Sequence, residues 1–299
     1  VNILTPLKVR GLELENRIVL PPMQTKKASK AGEVTDELIN HYSERAEGPG
    51  LIIVEHSYVS EQGKFAKNQL GIHEDDMVPG LSELVDAIHG KDTPVVAQIN
   101  HAGERVGDRS SDSIPVGPSG SEGGRSLETD EIEEIVSDFA SASKRALDAG
   151  FDGVEIHGAH GFLLNQFYSP ITNMREDEYG DSFKNRIRLP LEIVEKVREI
   201  VDDGILLYRL GAIDLESGGV QIEDSQKFAQ KLIENGIDII DVSGGLCGSR
   251  PRELSGKQGY FVPYASDIRK KIKAPVIGVG GIKSAEYANQ VIEEEMIDL

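Results

Sequence analysis

The chain has 299 residues, 51 acidic side chains against 32 basic ones and a formal net charge of −19, a balance that disfavours nucleic acid and anionic membranes as partners. No apolar run approaches the ~18 residues of a transmembrane helix, and the opening VNILTPLKVRG lacks the long apolar core of a signal peptide. The lone Cys247 excludes an intrachain disulfide framework and any site built from several cysteines, so a reducing, cytoplasmic setting is expected.

Residues 7–14 (LKVRGLEL) read as a two-stranded turn plugging the bottom of a barrel. Residues 17–22 (RIVLPP) form the first of seven short β-branched runs. A helical face follows at Leu38, Ile39, Tyr42 and Ala46, with Thr35 as N-cap and Gly48-Pro49 as stop. The second run, 51–56 (LIIVEH), precedes a helix marked by Leu81, Leu84, Val85 and Ile88; the third is 94–99 (PVVAQI). Residues 103–128, rich in Gly, Ser and Pro, form a long excursion. A helix through Ile132, Ile135, Val136, Phe139 and Ala146 comes next, with Thr129 near its start and Gly150 at its end. The remaining runs, 152–157 (DGVEIH), 205–210 (ILLYRL), 237–242 (IDIIDV) and 275–280 (PVIGVG), alternate with helical patterns at 191–201, 225–234, 265–272 and 284–295.

The runs are apolar throughout rather than alternating, which marks parallel strands covered by helices. Seven strand–helix units in strict alternation predict a (β/α)8 TIM barrel, one domain spanning residues 1–299. A doubly wound sheet should place a glycine-rich phosphate turn after its first strand, where this chain reads PPMQTKK. Residues 296–299 look like the start of strand eight; strand eight and its helix are otherwise missing. An open barrel exposes strand edges, so the expectation is a piece of a longer polypeptide.

Barrel enzymes act at the C-terminal ends of their strands. Residues 155–188 (EIHGAHGFLLNQFYSPITNMREDEYGDSFKNRIR) carry a denser polar set than a structural loop needs, with His157 and His160 closing the fourth strand. Gln98 ends the third strand. Arg209 lies inside the apolar fifth run, where a buried guanidinium needs an anionic or electron-rich partner, or a structural salt bridge to an acid such as Glu155. Gly278, Gly280 and Gly281 end the seventh, where bare backbone can approach a phosphate. Together they suggest a phosphate, a planar hydrogen-bonding ligand over the barrel centre, and a two-histidine anion site above it. A metal-dependent hydrolase using His157 and His160 is the competing chemistry. Such barrels usually offer His-x-His on the first strand, and residues 17–23 contain no histidine.

Residues 155–186, with ENRIVLPPM (15–23), AQINHAGE (97–104) and the Gly280-Gly281 turn, resemble the old yellow enzyme family of FMN-dependent NAD(P)H oxidoreductases and ene-reductases, from Leu7 to Leu299. The resemblance implies FMN as cofactor and NADH or NADPH as reductant. Hydride would pass through flavin N5 to the activated C=C bond of a small enone or to a quinone-like acceptor. It implies that Pro22, Met23 and Gln24 line one flavin edge and that His56 contributes its backbone N–H. Gln98 would bond the pyrimidine part, Arg209 would lie against N1/O2 and the ribityl chain, and Gly280 and Gly281 would hold the phosphate. His157 and His160 would donate hydrogen bonds to the carbonyl oxygen of the acceptor. A homo-oligomer is compatible with it.

Four departures from the family pattern stand out, the first being that the strand-eight Gly-Arg pair expected to finish the phosphate site is not in this sequence. Phe162 occupies the place of the family's proton-donating Tyr, leaving solvent, Tyr168 or Tyr58 as sources. Gln24 replaces a Thr or Cys, and Lys26 lies where one subgroup places a substrate-binding Tyr. Tyr260 reads as a substrate contact or a loop anchor, and Cys247 as a buried or idle thiol. Two alternatives stay open: the N-terminal barrel of a larger iron–sulfur flavoprotein of dienoyl-CoA or enoate reductase type, or a flavin-binding protein with little turnover.

Overall fold

A computed structural model describes residues 1–108, 114–121, 123–254 and 256–299. The strands are β1 (Leu7–Val9), β2 (Leu12–Leu14), β3 (Val19–Leu20), β4 (Leu51–Tyr58), β5 (Val95–Asn100), β6 (Val116–Gly117), β7 (Arg125–Ser126), β8 (Gly153–Gly158), β9 (Ile205–Gly211), β10 (Ile239–Ser243) and β11 (Val276–Gly278). The helices are α1 (Asp36–Ser43), α2 (Val78–His89), α3 (Thr129–Asp148), α4 (Leu163–Tyr168), α5 (Phe183–Arg186), α6 (Arg188–Val201), α7 (Ile222–Glu234), α8 (Val262–Arg269) and α9 (Ala285–Glu293). Seven strands pair in parallel in the order β11-β10-β9-β8-β5-β4-β3, the nearly closed wall of a TIM barrel.

Burial on both faces explains the apolar runs. Ile53, Val96, Leu207, Ile239 and Ile277 point inward and form one cluster with Val9, Leu14 and Leu299. Their chain neighbours Val54, Ala97, Leu206, Ile240 and Val276 pack outward under the helices. The plug is as expected. β1 pairs antiparallel with β2 through Arg10 and Gly11, both at positive φ, and Val9 and Leu14 enter the interior cluster.

Caps set several helix starts. Thr35 Oγ1 accepts from the Leu38 N–H, and Ser284 Oγ from that of Tyr287, both at 3.2 Å. The α3 entry is held by the Glu128 N–H donating to Glu131 Oε2 at 2.9 Å. The first strand is shorter than the run 17–22 because Pro21 and Pro22 have no N–H to continue the ladder. The start of an eighth strand at residues 296–299 is partly realised. Asp298 and Leu299 N–H groups bond the Val276 carbonyl, the Gly278 N–H bonds that of Leu299, and Arg17 Nη1 reaches the Asp298 carbonyl at 2.9 Å. A hollow of about 790 Å³ lies along the β3–β11 seam, lined by Val19, Ile53, Ile277 and Val291 among others. Part of the 103–128 excursion, residues 109–113 and 122, lies outside the described residues. No helix among the described residues is long and apolar enough to cross a membrane.

Candidate functional site

Near the C-terminal ends of the strands the inward positions turn polar. Gln98, Arg209 and Asp241 follow the interior residues Val96, Leu207 and Ile239 at a spacing of two, Glu155 follows Gly153 in the same way, and each is at most 5% exposed. Parallel register sets Gln98 level with Glu155, and Arg209 level with both His157 and Asp241. Gln98 Nε2 donates to Glu155 Oε1 at 2.7 Å, and Arg209 Nε lies 3.1 Å from Asp241 Oδ2. The acid against Arg209 is therefore Asp241, not Glu155, which sits one inward step lower beside Leu207. The Arg209–Asp241 contact is an ion pair without an aligned hydrogen bond, since Arg209 Nε and both Asp241 oxygens have none. Burial, then the Asp241 charge, raises the Glu155 carboxyl well above the usual range, and burial also raises that of Asp241.

Above this layer opens a cleft of about 510 Å³. Pro22, Met23, Gln24, His56, Gln98, His157, His160, Phe162, Arg209, Tyr260, Gly280 and Gly281 all line it. Lys26 does not: it is exposed, at positive φ, with its ammonium 2.7 Å from Asp108. Tyr58 and Tyr168 also lie outside the lining, their hydroxyls bonded to the Ala31 carbonyl and to Ser225. Neither is placed to deliver a proton in the cleft.

His157 and His160 meet edge to face with centroids 4.9 Å apart. His157 Nδ1 accepts the Ala159 N–H at 3.2 Å, which puts the proton on Nε2. His160 stands at φ +60°, its N–H bonding the Gly244 carbonyl and its Nε2 2.7 Å from Ser243 Oγ. The ring of Phe162 packs 5.0 Å from that of His157 and 5.3 Å from that of His56. His56 Nδ1 faces the amide nitrogens of Gln69 at 3.0 Å and Asn100 at 3.3 Å. Burial first, then neighbouring cations, lowers the His157 and His160 imidazoles well below their usual value and His56 to about 4, so all three are neutral near pH 7.

The glycine turn is tight. Gly280 and Gly281 have φ +118° and +62°, and a Cβ on Gly280 would fall 2.8 Å from the Tyr260 ring. Tyr260 is a loop anchor, its hydroxyl donating to the Ser249 carbonyl at 2.8 Å, and it also lines the cleft. Cys247 is half-buried, its thiol donating to the Ile213 carbonyl at 3.2 Å and pushed up to about 11 by burial.

Sequence reasoning missed Phe65, Arg105, Ser243 and Arg250, which also line the cleft. Ser243 had a signal, two positions beyond Asp241 on one strand face. It also missed Glu55, at a bulge between Val54 and Ser57. Glu55 is fully buried, accepts the Thr25 N–H at 3.0 Å, and thereby ties down the chain after Gln24.

Burial raises the Glu55 carboxyl from 4.5 to about 7. The folded chain binds an extra proton between those values. The stability Glu55 contributes is full below about 4.5 and lost as the pH rises through about 7. The three cleft histidines act oppositely: their contribution is present above 6.5 and lost as the pH falls through their lowered values. Glu55→Gln should remove the first slope and keep the second. The melting temperature of the variant, relative to wild type, is expected to rise with pH between 4.5 and about 7. A difference that stays flat with pH in calorimetry would refute this.

The donor set suits FMN. Among the described residues Gln24 Nε2 and Arg209 Nε are buried without a hydrogen-bond partner, and the glycine turn brings bare backbone to the cleft beside the Tyr260 ring. Among the described residues no group of three His, Cys, Asp or Glu could hold a metal ion.

A family model described as NADH:flavin oxidoreductase / NADH oxidase family matches residues 2–299. An NADH oxidase from Thermoanaerobacter brockii is 39% identical over 99% of this chain, which spans 48% of that protein's length. An NADPH dehydrogenase from Listeria monocytogenes is 38% identical over 98% of the chain, which spans 87% of it. Among solved structures, a 2-naphthoyl-CoA reductase complex superposes with TM-score 0.93 at 27% identity, over all of this chain and 49% of its own. An old yellow enzyme homologue from Zymomonas mobilis superposes with TM-score 0.86 at 27% identity, over all of this chain and 87% of its own. Fold, cleft and matches together define a flavin-dependent NAD(P)H oxidoreductase barrel. The chain belongs to the NADH:flavin oxidoreductase / NADH oxidase family, which includes the old yellow enzymes.

Proposed function

We propose that this chain forms the FMN-binding barrel of a cytoplasmic enzyme that reduces the activated C=C bond of a small enone, or a quinone-like acceptor, with NADH or NADPH. The observation that carries this reading is the pairing of two neutral imidazoles, one buried and one half-buried, with a cleft that ends in a bare glycine turn. Pro22, Met23 and Gln24 would hold one edge of the flavin, His56 its backbone neighbourhood, Gln98 the pyrimidine edge, Arg209 the N1/O2 side, and Gly280 and Gly281 the phosphate. When bound, FMN supplies a two-electron store between reductant and acceptor.

The chain's own groups do the rest. Glu155 accepts from the Gln98 amide nitrogen, which leaves the Gln98 carbonyl oxygen to accept from the ligand. Arg209 provides positive charge where the reduced cofactor is anionic. His157, with its proton on Nε2, donates to an oxygen as it becomes negative, and His160 joins it in the tautomer whose Nε2 accepts from the Ser243 hydroxyl and whose proton sits on Nδ1. Donors already neutral and hydrogen-bonded need little rearrangement as that charge builds. Phe162 cannot donate a proton, so the second hydrogen of the reduced bond comes from solvent as H⁺. Over a cycle NAD(P)H gives up a hydride, the acceptor gains that hydride and one solvent proton, and NAD(P)⁺ leaves.

The test is the visible spectrum of the protein loaded with FMN. Bound-flavin bands that bleach on anaerobic NAD(P)H and return on adding an enone are expected. A protein that stays colourless on FMN titration refutes the proposal.

A further inference from the structure

One arginine of the cleft, Arg105, has no part in the cofactor contacts proposed above. Among the described residues no Asp or Glu lines the cleft, although the whole chain carries −19. It is lined instead by Arg105, Arg209 and Arg250. Arg209 is matched by Asp241, and Arg250 lines both the cleft and the seam hollow together with Gly280, Gly281 and Tyr260. Arg105 has a different setting. Its guanidinium lies 5.2 Å from the centroid of Phe162 and 5.8 Å from that of Phe65, and it donates to the carbonyl oxygen of His160. No carboxylate pairs with it among the described residues. The ring beneath it is the one that packs 5.0 Å from His157. An arginine is thus held against the ring beside the two imidazoles, with most of its five N–H donors unspent among the described residues.

We infer that Arg105 is a specificity-determining residue, and that the acceptor reduced in this cleft carries a carboxylate near its activated C=C bond. The inference rests on the function proposed above, which places the acceptor's carbonyl oxygen at His157 and His160. A planar guanidinium backed by Phe162 presents a fork to one carboxylate, a geometry an ammonium does not reproduce. Its bond to the His160 carbonyl fixes the distance between the carboxylate and the oxygen-binding imidazoles. The same positive charge could instead serve the phosphates of NAD(P)H, so the experiment separates the two.

FMN-loaded wild type, Arg105→Ala and Arg105→Lys are compared with paired acceptors, 2-cyclohexenone and 3-oxocyclohexene-1-carboxylate. Each is reduced with NADPH and with N-benzyl-1,4-dihydronicotinamide, which has no phosphate. The wild type is expected to favour the carboxylate. In Arg105→Ala the ratio of kcat/KM between the two acceptors should fall about 10- to 100-fold with either reductant, with partial recovery in Arg105→Lys. The rate of flavin reduction, followed separately, should keep its preference between the two reductants. A ratio within twofold of wild type, or a change seen only in the preference for NADPH, overturns the inference while the proposed function stands. Wild type that holds FMN but reduces neither enone refutes the proposed function itself, and this inference with it.

Discussion

Replacing both His157 and His160 by Ala is expected to lower kcat/KM for an enone by roughly 10³-fold or more. Removing one preorganised donor to a developing oxyanion typically costs about 10²–10³ in rate, and donors acting together lose less than the product of their single effects. The two imidazoles here share one oxygen-binding role and touch edge to face, so single variants should each show most of the loss. FMN binding should persist, because Gln98, Arg209 and the glycine turn are untouched. A phenol such as p-hydroxybenzaldehyde reports on the same site: its long-wavelength band with bound flavin should disappear in the double variant. An unaltered band would remove the histidines from the anion site even if turnover fell. Both rings are neutral well below pH 7, so between pH 6 and 8 the rate carried by these donors should not follow an imidazole titration.

Arg209→Leu should be the most damaging single change to the fold. It leaves Asp241 and Glu155 buried with no cation between them. Breaking a buried pair from one side costs about 3–5 kcal/mol, a large share of a domain's stability. The orphaned carboxyls would then be protonated in the folded chain, which ties the loss to pH: the variant should regain stability as the pH falls, when the unfolded chain no longer gains by ionising them. Adding Asp241→Asn should recover part of the deficit at pH 7, since the double variant buries one charge fewer. Urea melts of the three proteins at pH 5 and 7.5 decide it. A loss near 1 kcal/mol that is the same at both values would mean that water already reaches Arg209 and the pair is not buried in effect.

The barrel was legible because its strands are buried on both faces, so each reads as a mostly apolar run rather than an alternating one from residue 51 onward. The first strand was read too long because proline ends a ladder without ending a hydrophobic run. α4 was missed because LLNQFY is short and follows Phe162, which offers no side-chain cap. Arg209 announced itself as one charge in an apolar segment, and the two histidines by their place at a strand end. The partner of Arg209 was not legible. Which residues stand level across neighbouring strands is set by register, and register is decided by packing that a single segment does not reveal. Arg105 and Arg250 were invisible for another reason. They sit on loops, and their sequence neighbours say nothing about the cleft to which the chain returns them.

A cleft whose described lining holds arginines and no carboxylate, inside so acidic a molecule, also bears on how reactants arrive. At long range a dinucleotide phosphate meets a surface of its own sign and is repelled; within a Debye length of the mouth, about 8 Å at physiological ionic strength, it meets arginines instead. Added electrolyte weakens the distant repulsion first and the short-range attraction last. Encounter with the anionic reductant therefore quickens as ionic strength rises from very low values and slows once the mouth itself is screened, so the cell's own salt becomes a regulator of capture.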